Sequence, residues 1–196
     1  HEIIEDLAIL RSIPNMSIVA PADADEMKRL IPLTLNYPGP LYVRLGKGFD
    51  PIVSRNDLPF EIGKAIPMMK GKDALVVTTG ITLQPALEAA ELLRQEGIKI
   101  SILHMHTIKP LDTITLLEYA ADVDVIITME EHTILGGLGG AVAEVILEKN
   151  FAQPKRFKRI GIPDMFADEY GSQASLMKRF GITSENLIST IKQLRI

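Results

Sequence analysis

The sequence contains no cysteine. Disulfide bonds, zinc–thiolate sites and thiol nucleophiles are therefore excluded from its chemistry. Basic runs are absent as well: none is longer than the pairs Lys155-Arg156 and Lys158-Arg159, and the net charge is −4. Neither a nucleic-acid footprint nor a polybasic membrane patch is visible, so we expect no nucleic-acid partner and no membrane partner.

Long hydrophobic runs are also missing. The most apolar region, 116–129, is interrupted by Glu118, Asp122 and Asp124, and it falls short of the roughly 20 apolar residues that a membrane helix needs. The chain begins at His1 without a methionine or a recognisable signal segment and runs straight into a helical pattern. We interpret this as a start in the middle of a domain, and we expect a cytoplasmic setting, which fits the lack of cysteine.

What is present is the composition of an ordinary globular protein. The 196 residues are 46% hydrophobic and 23% charged, which is typical of folded domains. This length suffices for one domain, or for one domain plus part of another.

Residues 1–50 show the pattern of an α/β domain whose front is missing. The predicted elements are a helix over 3–11, a strand over 16–20, a helix running to about residue 33 and a strand over 41–45. Asp23 with Glu26 three residues later predicts a capping box at the start of the second helix. The polar, aperiodic residues 51–58 are predicted to be a linker.

Residues 59–196 alternate between strands and helices. The predicted strands cover 60–65, 74–79, 98–104, 123–129 and 157–162; the predicted helices cover 83–93, 113–120, 139–149, 172–180 and 184–194. Such alternation predicts a three-layer α/β/α domain with a mostly parallel sheet. The fold class is therefore α/β, with the tail of a second α/β domain in front.

The glycine-rich segment Gly136–Gly140 follows a strand and opens a helix. Free amides and the helix dipole at such a place can bind phosphate. The dinucleotide fingerprint, however, requires a glycine where Val142 stands, and no P-loop lysine follows. We favour the interpretation that the glycines permit a tight turn and close helix–sheet packing.

Two groups of polar residues that contain histidine lie at the ends of predicted strands. Glu130, Glu131 and His132 could perform acid–base chemistry or bind a metal, but we favour a hydrogen-bonded network at a contact surface. His104 and His106 could chelate zinc, yet no third ligand is evident, and a structural role is favoured. Asp112 is most simply the cap of the next helix.

Arg44 is a lone charge in an apolar strand. A buried arginine requires an anionic partner. It could extend outward to solvent, pair with a carboxylate such as Glu5, or bind a phosphate through its planar guanidinium. Spacing alone leaves these alternatives open.

The order of several motifs resembles the transketolase family. Residues 1–16 resemble the family stretch His-Gln-x-x-Glu-Asp-(Ile/Leu)-Ala-x-x-Arg-x-(Ile/Thr)-Pro-Asn-Met of the pyrimidine-binding domain, which 41–46 continue. Further matches lie in the carboxy-terminal domain: Gly71-Lys72-Asp73, Thr79-Gly80, Ala86–Ala90, Ile108–Asp112, Glu130–Gly139, Gly161–Asp164 and Tyr170–Ser172. The resemblance covers essentially the whole chain, although Glu2 stands where transketolases often have glutamine.

This resemblance implies that residues 1–50 are the end of the pyrimidine-binding domain, that 51–58 are a linker and that 59–196 are the carboxy-terminal domain. It implies an enzyme that moves a two-carbon ketol unit between sugar phosphates, using thiamine diphosphate and Mg²⁺ or Ca²⁺ whose ligands lie mostly outside this chain. His1 matches the catalytic histidine near the thiazolium, and Arg44 matches the arginine that receives the sugar phosphate.

The implied partners are the missing amino-terminal section and a second copy, in a homodimer or a split-subunit assembly. This chain alone is then expected to be inactive. Deoxyxylulose-phosphate synthases share the Lys109–Asp112 segment and similar histidine and arginine residues, but they usually have Phe-Asp at Glu5-Asp6. A synthase of that kind and a non-catalytic dimerisation module remain alternatives, and an independent nucleotide-binding domain would rest on the glycine run alone.

Overall fold

A computed structural model of the chain describes residues 3–166 and 170–195. These residues form seven α-helices and eight strands, with a 3-10 turn at Gly80–Thr82. In chain order they are α1 (Asp6–Arg11), β1 (Ser17–Val19), α2 (Ala24–Thr34), β2 (Leu41–Val43), β3 (Ile66–Met69), β4 (Ala74–Thr78), α3 (Leu83–Gln95), β5 (Ile100–His104), β6 (Thr107–Lys109), α4 (Thr113–Ala121), β7 (Val125–Thr133), α5 (Leu138–Lys149), β8 (Arg156–Ile162), α6 (Gln173–Arg179) and α7 (Ser184–Leu194).

The larger sheet has the strand order β3-β5-β4-β7-β8. Strands β5, β4, β7 and β8 are parallel, and β3 runs antiparallel at the edge. Side chains alternate along β4: Val76 packs with α3 and α7, and Leu75 packs on the opposite face with α4 and α5. Because both faces are covered, β4 is apolar from Ala74 to Val77, and only its last residue, Thr78, is polar. The predicted three-layer α/β/α architecture is confirmed.

The smaller sheet joins the two predicted segments. Its order is β2-β1-β6, with β1 and β2 parallel and β6 antiparallel to β1. Strand β6 follows the larger sheet's β5, so a strand from the second segment completes the sheet of the first. The Ala20 N–H also donates to the His106 carbonyl at 2.7 Å. The two segments therefore share backbone hydrogen bonds.

Several predicted strand limits were wrong. The predicted edge strand 60–65 lies instead at Ile66–Met69, because Phe60 stacks on His106 and the Ala65 N–H donates to the Asp112 carboxylate. Strand β6 was not predicted. Strand β7 continues to Thr133, so 130–132 lie inside a strand.

The first helix and the second strand are shorter than predicted. Helix α1 begins at Asp6, because the Glu5 carboxylate turns back to accept the Ile4 N–H at 2.8 Å. Strand β2 ends at Val43. Arg44 therefore follows the strand, although its N–H still donates to the Val19 carbonyl at 2.8 Å.

Asp23 caps α2 as predicted. Its Oδ1 accepts the N–H groups of Asp25 and Glu26, both at 3.0 Å. The reciprocal half of the capping box is different, because the Glu26 carboxylate accepts the Ala22 N–H at 2.7 Å. Burial would raise the pKa of Asp23, but its backbone and hydroxyl hydrogen bonds outweigh burial and lower that pKa.

The polar segment 51–58 is anchored on α2. Asp23 Oδ2 accepts the N–H groups of Val53 and Ser54 at 2.8 and 2.7 Å, and the Ser54 hydroxyl donates to Oδ1 at 2.8 Å. Arg29 donates from Nη1 to two carbonyls of the same segment, each at 3.1 Å. One carboxylate and one guanidinium thus hold these residues in place. In the parts of the chain described, no helix has the length and apolarity to cross a membrane.

Candidate functional site at the junction of the two segments

Arg44 lies where the two segments meet. Its Nε donates to both oxygens of Asp6, at 3.1 and 3.3 Å, and its Nη2 donates to the carbonyls of Glu131 at 2.9 Å and Ile3 at 3.3 Å. Nη1 lies 3.7 Å from Glu131 Oε2. The carboxylate partners are thus Asp6 from α1 and Glu131 from β7, and the suggested pairing with Glu5 was wrong.

The Asp6 carboxylate is the buried half of this pair. Its side chain is 3% exposed, compared with 17% for Arg44. Tyr42 also donates its hydroxyl to Asp6 Oδ2 at 2.8 Å. A carboxylate removed from water requires such compensation. Asp6 therefore holds Arg44 in place, and it ties α1 to the end of β2.

Beside Arg44 the surface encloses a cavity of about 550 Å³. Its charged lining comes from Arg44, Lys47, Glu5 and Glu131. The remainder is mostly apolar and is contributed by Ile3, Ile4, Ile162, Phe166, Tyr170, Gly171, Leu176, Met177, Phe180 and Ile182. The cavity places two cationic side chains against an apolar wall. Arginine and lysine at such an end can bind a carboxylate or phosphate group.

Glu131 connects this cavity to α6. Gln173 Nε2 donates to both Glu131 oxygens, at 2.9 and 3.2 Å. Sequence reasoning singled out Glu131 but missed Asp6 and Gln173 as members of the same cluster. These contacts span 38 and 42 residues, so no local spacing pattern could reveal them.

The glycine-rich loop is occupied by a side chain of the protein itself. Glu130 is fully buried, and its carboxylate accepts the N–H groups of Leu138 at 2.7 Å and Gly139 at 2.9 Å. An anion thus already caps the amino terminus of α5. A Cβ on Gly137 would collide with the Glu130 carboxylate and with His132 Nδ1. The packing interpretation of the glycines is supported, and Glu130 is part of it.

His132 is a fully buried connection to α1. Its Nδ1 lies 2.7 Å from the Thr133 carbonyl, which can only accept, and its Nε2 lies 3.3 Å from the Ala8 N–H, which can only donate. Both contacts are satisfied by the tautomer with hydrogen on Nδ1. His132 therefore belongs to a hydrogen-bonded contact between α1 and β7, as the sequence favoured.

His104 is buried between the two segments. Its Nδ1 lies 3.0 Å from the Thr78 hydroxyl and its Nε2 lies 3.1 Å from Glu26 Oε2. Burial opposes ionisation of Glu26, but the attraction of His104 and its hydrogen bonds prevail and lower the pKa of Glu26. His104 thus links β5 to α2.

His106 is stacked on Phe60 with ring centroids 4.0 Å apart, and its Nδ1 lies 3.0 Å from the Thr107 hydroxyl. Burial, with smaller contributions from His104 and Arg29, lowers the pKa of His106 to about 3. It is therefore neutral at physiological pH. A structural role for both histidines is supported by these contacts.

Within residues 3–166 and 170–195, no three His, Asp or Glu side chains are grouped to hold a metal ion. The start of α5, which follows the glycine-rich loop, is filled by the Glu130 carboxylate. These residues therefore do not fit the diphosphate–metal end of a thiamine cofactor.

His1 lies outside the described residues. Asp112 caps α4 as predicted, accepting the Thr115 N–H at 3.2 Å.

Two family models match the chain. Residues 63–187 match the transketolase C-terminal domain, and residues 1–49 match the transketolase pyrimidine-binding domain. Among curated proteins, an uncharacterised transketolase family protein y4mN of Sinorhizobium fredii is 39% identical over 98% of this chain and 56% of its own length. A putative transketolase C-terminal section of Methanocaldococcus jannaschii is 38% identical over 98% of this chain and 60% of its length.

A 1-deoxy-D-xylulose-5-phosphate synthase of Dictyoglomus turgidum is 38% identical over all of this chain and 32% of its own length. The chain thus spans little more than half of the first two relatives and about a third of this one.

Among solved structures, a split-gene transketolase described as an inactive β4 tetramer matches with a TM-score of 0.91 and 35% identity, over all of this chain and 63% of that one. The two family models, the curated relatives and the solved structure therefore lead to the same conclusion: this chain belongs to the transketolase family.

Proposed function

We propose that this chain is the carboxy-terminal part of a thiamine-diphosphate-dependent transketolase that moves a two-carbon ketol unit between sugar phosphates. In this assignment residues 1–50 end the pyrimidine-binding domain, 51–58 are the linker and 59–196 are the carboxy-terminal domain. The observation that carries the proposal is the position of Arg44, which lines the 550 Å³ cavity together with Lys47. Arg44 and Lys47 supply two cations at the cavity wall, beside the carboxylates of Glu5 and Glu131, and such cations can bind the phosphate of a sugar phosphate.

The cofactor and its Mg²⁺ are held by sections outside this chain. The family membership supports thiamine diphosphate, whose thiazolium supplies an electron sink when bound. His1 stands in the family position of the catalytic histidine and is proposed to orient the donor sugar. Arg44 is proposed to bind the phosphate through Nη1, which lies 3.7 Å from the carboxylate of Glu131, another residue that lines the cavity.

The partners are proposed to be the amino-terminal section and a second copy of the assembly. The likeness to the carboxy-terminal section and to the split-gene chain supports this arrangement. In such an enzyme the active site forms only when both sections are present.

The test is ketol transfer from a ketose phosphate to an aldose phosphate in the presence of thiamine diphosphate and Mg²⁺, for this chain alone and with the amino-terminal section supplied. Activity only in the mixture is the expected result, and a His1→Ala chain in the same mixture is the control. Folded mixtures without any transfer would overturn the proposal.

A second candidate is a 1-deoxy-D-xylulose-5-phosphate synthase, which the 38% identity over the whole chain favours. Formation of 1-deoxyxylulose 5-phosphate with release of CO₂, when both sections are given pyruvate and glyceraldehyde 3-phosphate in place of the ketose phosphate, and without ketol transfer, would establish it. If neither product forms but the chain assembles into a stable oligomer, the dimerisation or assembly module is the better assignment.

A further inference from the structure

The two carboxylates beside Arg44 are held in different ways. Asp6 accepts two hydrogen bonds from Nε and is nearly inaccessible to solvent. Glu131 offers its carboxylate to Nη1 at 3.7 Å, an ion pair that is longer than a hydrogen bond. Glu131 is also 13% exposed and lines the cavity. Asp6 is therefore a fixed partner, and Glu131 is a partner at the cavity wall.

Gln173 is one of the residues that hold the Glu131 carboxylate in place. As the first residue of α6, it donates to both carboxylate oxygens, at 2.9 and 3.2 Å. Helix α6 contains no buried residue; its Met177 is partly buried against the core, and Gln173 adds a polar contact at its first turn. Two of its residues, Leu176 and Met177, line the same cavity. The hydrogen bonds from Gln173 thus join α6 to the charged end of the cavity.

We propose that Glu131 sets the anion affinity and selectivity of this site, because it competes with a bound anion for Arg44 and transmits that competition to α6. The proposal rests on the assignment of Arg44 to anion binding under the proposed function. A phosphate on Nη1 would lie beside the Glu131 carboxylate, and two like charges at such distances repel. Glu131 then moves away from Arg44, and its hydrogen bonds to Gln173 weaken.

The arrangement favours ligands whose other contacts offset the repulsion by Glu131. A phosphorylated sugar can make such contacts with the cavity wall, whereas inorganic phosphate cannot. Glu131 is accordingly a positioning residue that suppresses occupation of the site by free phosphate, and α6 becomes less firmly held when an anion is bound.

The first test measures the dissociation constant of inorganic phosphate with the full chain. Removing the charge with Glu131→Gln should tighten phosphate binding on the order of tenfold, the effect of one like charge at a partly screened site. The matched control is Glu5→Gln, which removes the same charge from the same cavity, where Glu5 contacts the Ile4 N–H instead of Arg44. Equal changes in both variants would overturn the proposal, because they would reflect overall charge alone.

The second test follows hydrogen exchange of the α6 amides with and without phosphate. In the wild-type protein phosphate should accelerate their exchange. In Gln173→Ala these amides should exchange faster from the start and show no further response to phosphate. Wild-type α6 amides that do not respond to saturating phosphate would also overturn the proposal.

A further variant separates this proposal from the function on which it rests. Arg44→Gln combined with Asp6→Asn removes the guanidinium and leaves no buried carboxylate unpaired. Loss of phosphate binding in this variant, with equal affinities in Glu131→Gln and Glu5→Gln, would refute the role of Glu131 alone. Phosphate binding that survives in the double variant would refute the assignment of Arg44 itself, and the role of Glu131 with it.

Discussion

The Gly139 N–H donates to Glu130 Oε1 over 2.9 Å and ties the start of α5 to the interior of β7. A carboxylate at a helix amino terminus interacts favourably with the helix dipole as well as with the free amides. The glycines around it leave room for this carboxylate. The segment that most resembles a phosphate loop in the sequence is thus a closed internal contact.

The closeness of this contact predicts an intolerance of side chains at Gly137. Gly137→Ala would press a methyl group into the Glu130 carboxylate and His132 Nδ1, and we expect the free energy of unfolding to fall by about 3 kcal/mol. Gly140→Ala is the control, since its nearest neighbour would be Arg11 Nη1 at 3.3 Å, and it should change stability by less than about 1 kcal/mol. Urea denaturation measures both, and equal effects would contradict the prediction.

The pair formed by Asp6 and Arg44 predicts strong coupling. Arg44→Met leaves the buried Asp6 carboxylate with the Tyr42 hydroxyl but without its cation, and we expect a loss of about 3 kcal/mol in unfolding free energy. Asp6→Asn together with Arg44→Met should recover much of this loss. A double-mutant cycle by urea denaturation gives the coupling energy. Additive single effects would show that the pair is not coupled.

The buried imidazole of His106 predicts a pH-dependent stability. The pKa of His106 is lowered from an ordinary value of 6.5 to about 3. Between these two pH values the imidazole is protonated in the unfolded chain but neutral in the folded chain. Stability is therefore lost as the pH falls from about 6.5 toward 3, by about 2 kcal/mol between pH 7 and 5.

His106→Leu should remove this part of the slope, as measured by urea denaturation at several pH values. The comparison protein is Ile127→Val, a fully buried core substitution that lowers stability by about 1 kcal/mol and should keep the slope. An unchanged slope in His106→Leu would mean that another group is responsible.

The anchoring of residues 51–58 on Asp23 predicts a local effect. Asp23→Ala removes the cap of α2 and the acceptor for the N–H groups of Val53 and Ser54. We expect a loss of roughly 2 kcal/mol and faster hydrogen exchange at 53–54. Ser54→Ala removes a single hydroxyl contact and should leave the exchange of the Val53 N–H nearly unchanged. If the N–H groups of Val53 and Ser54 stay protected from exchange in Asp23→Ala, residues 51–58 are held by other contacts and the prediction is wrong.

The sequence by itself determined the order and type of nearly every element. The continuous apolar run Ala74–Val77 and the helical stripe of 83–93 are local patterns, and a parallel sheet covered on both faces is their direct consequence. Asp23 and Asp112 were correctly assigned as caps for the same reason, since a cap acts on amides two or three residues away. The family motifs identified the chain because they keep their order along it.

Only the tertiary structure decided what the charged residues of the candidate site do. Asp6, Arg44, Glu131 and Gln173 come from four separate parts of the chain, and no periodicity relates them. Strand β6 and the shift of the edge strand to 66–69 also depend on distant partners, because a short strand is stabilised by its neighbour in the sheet more than by its own residues. Local propensity determines elements, whereas the pairing of charges and of sheet edges is determined by which surfaces meet after folding.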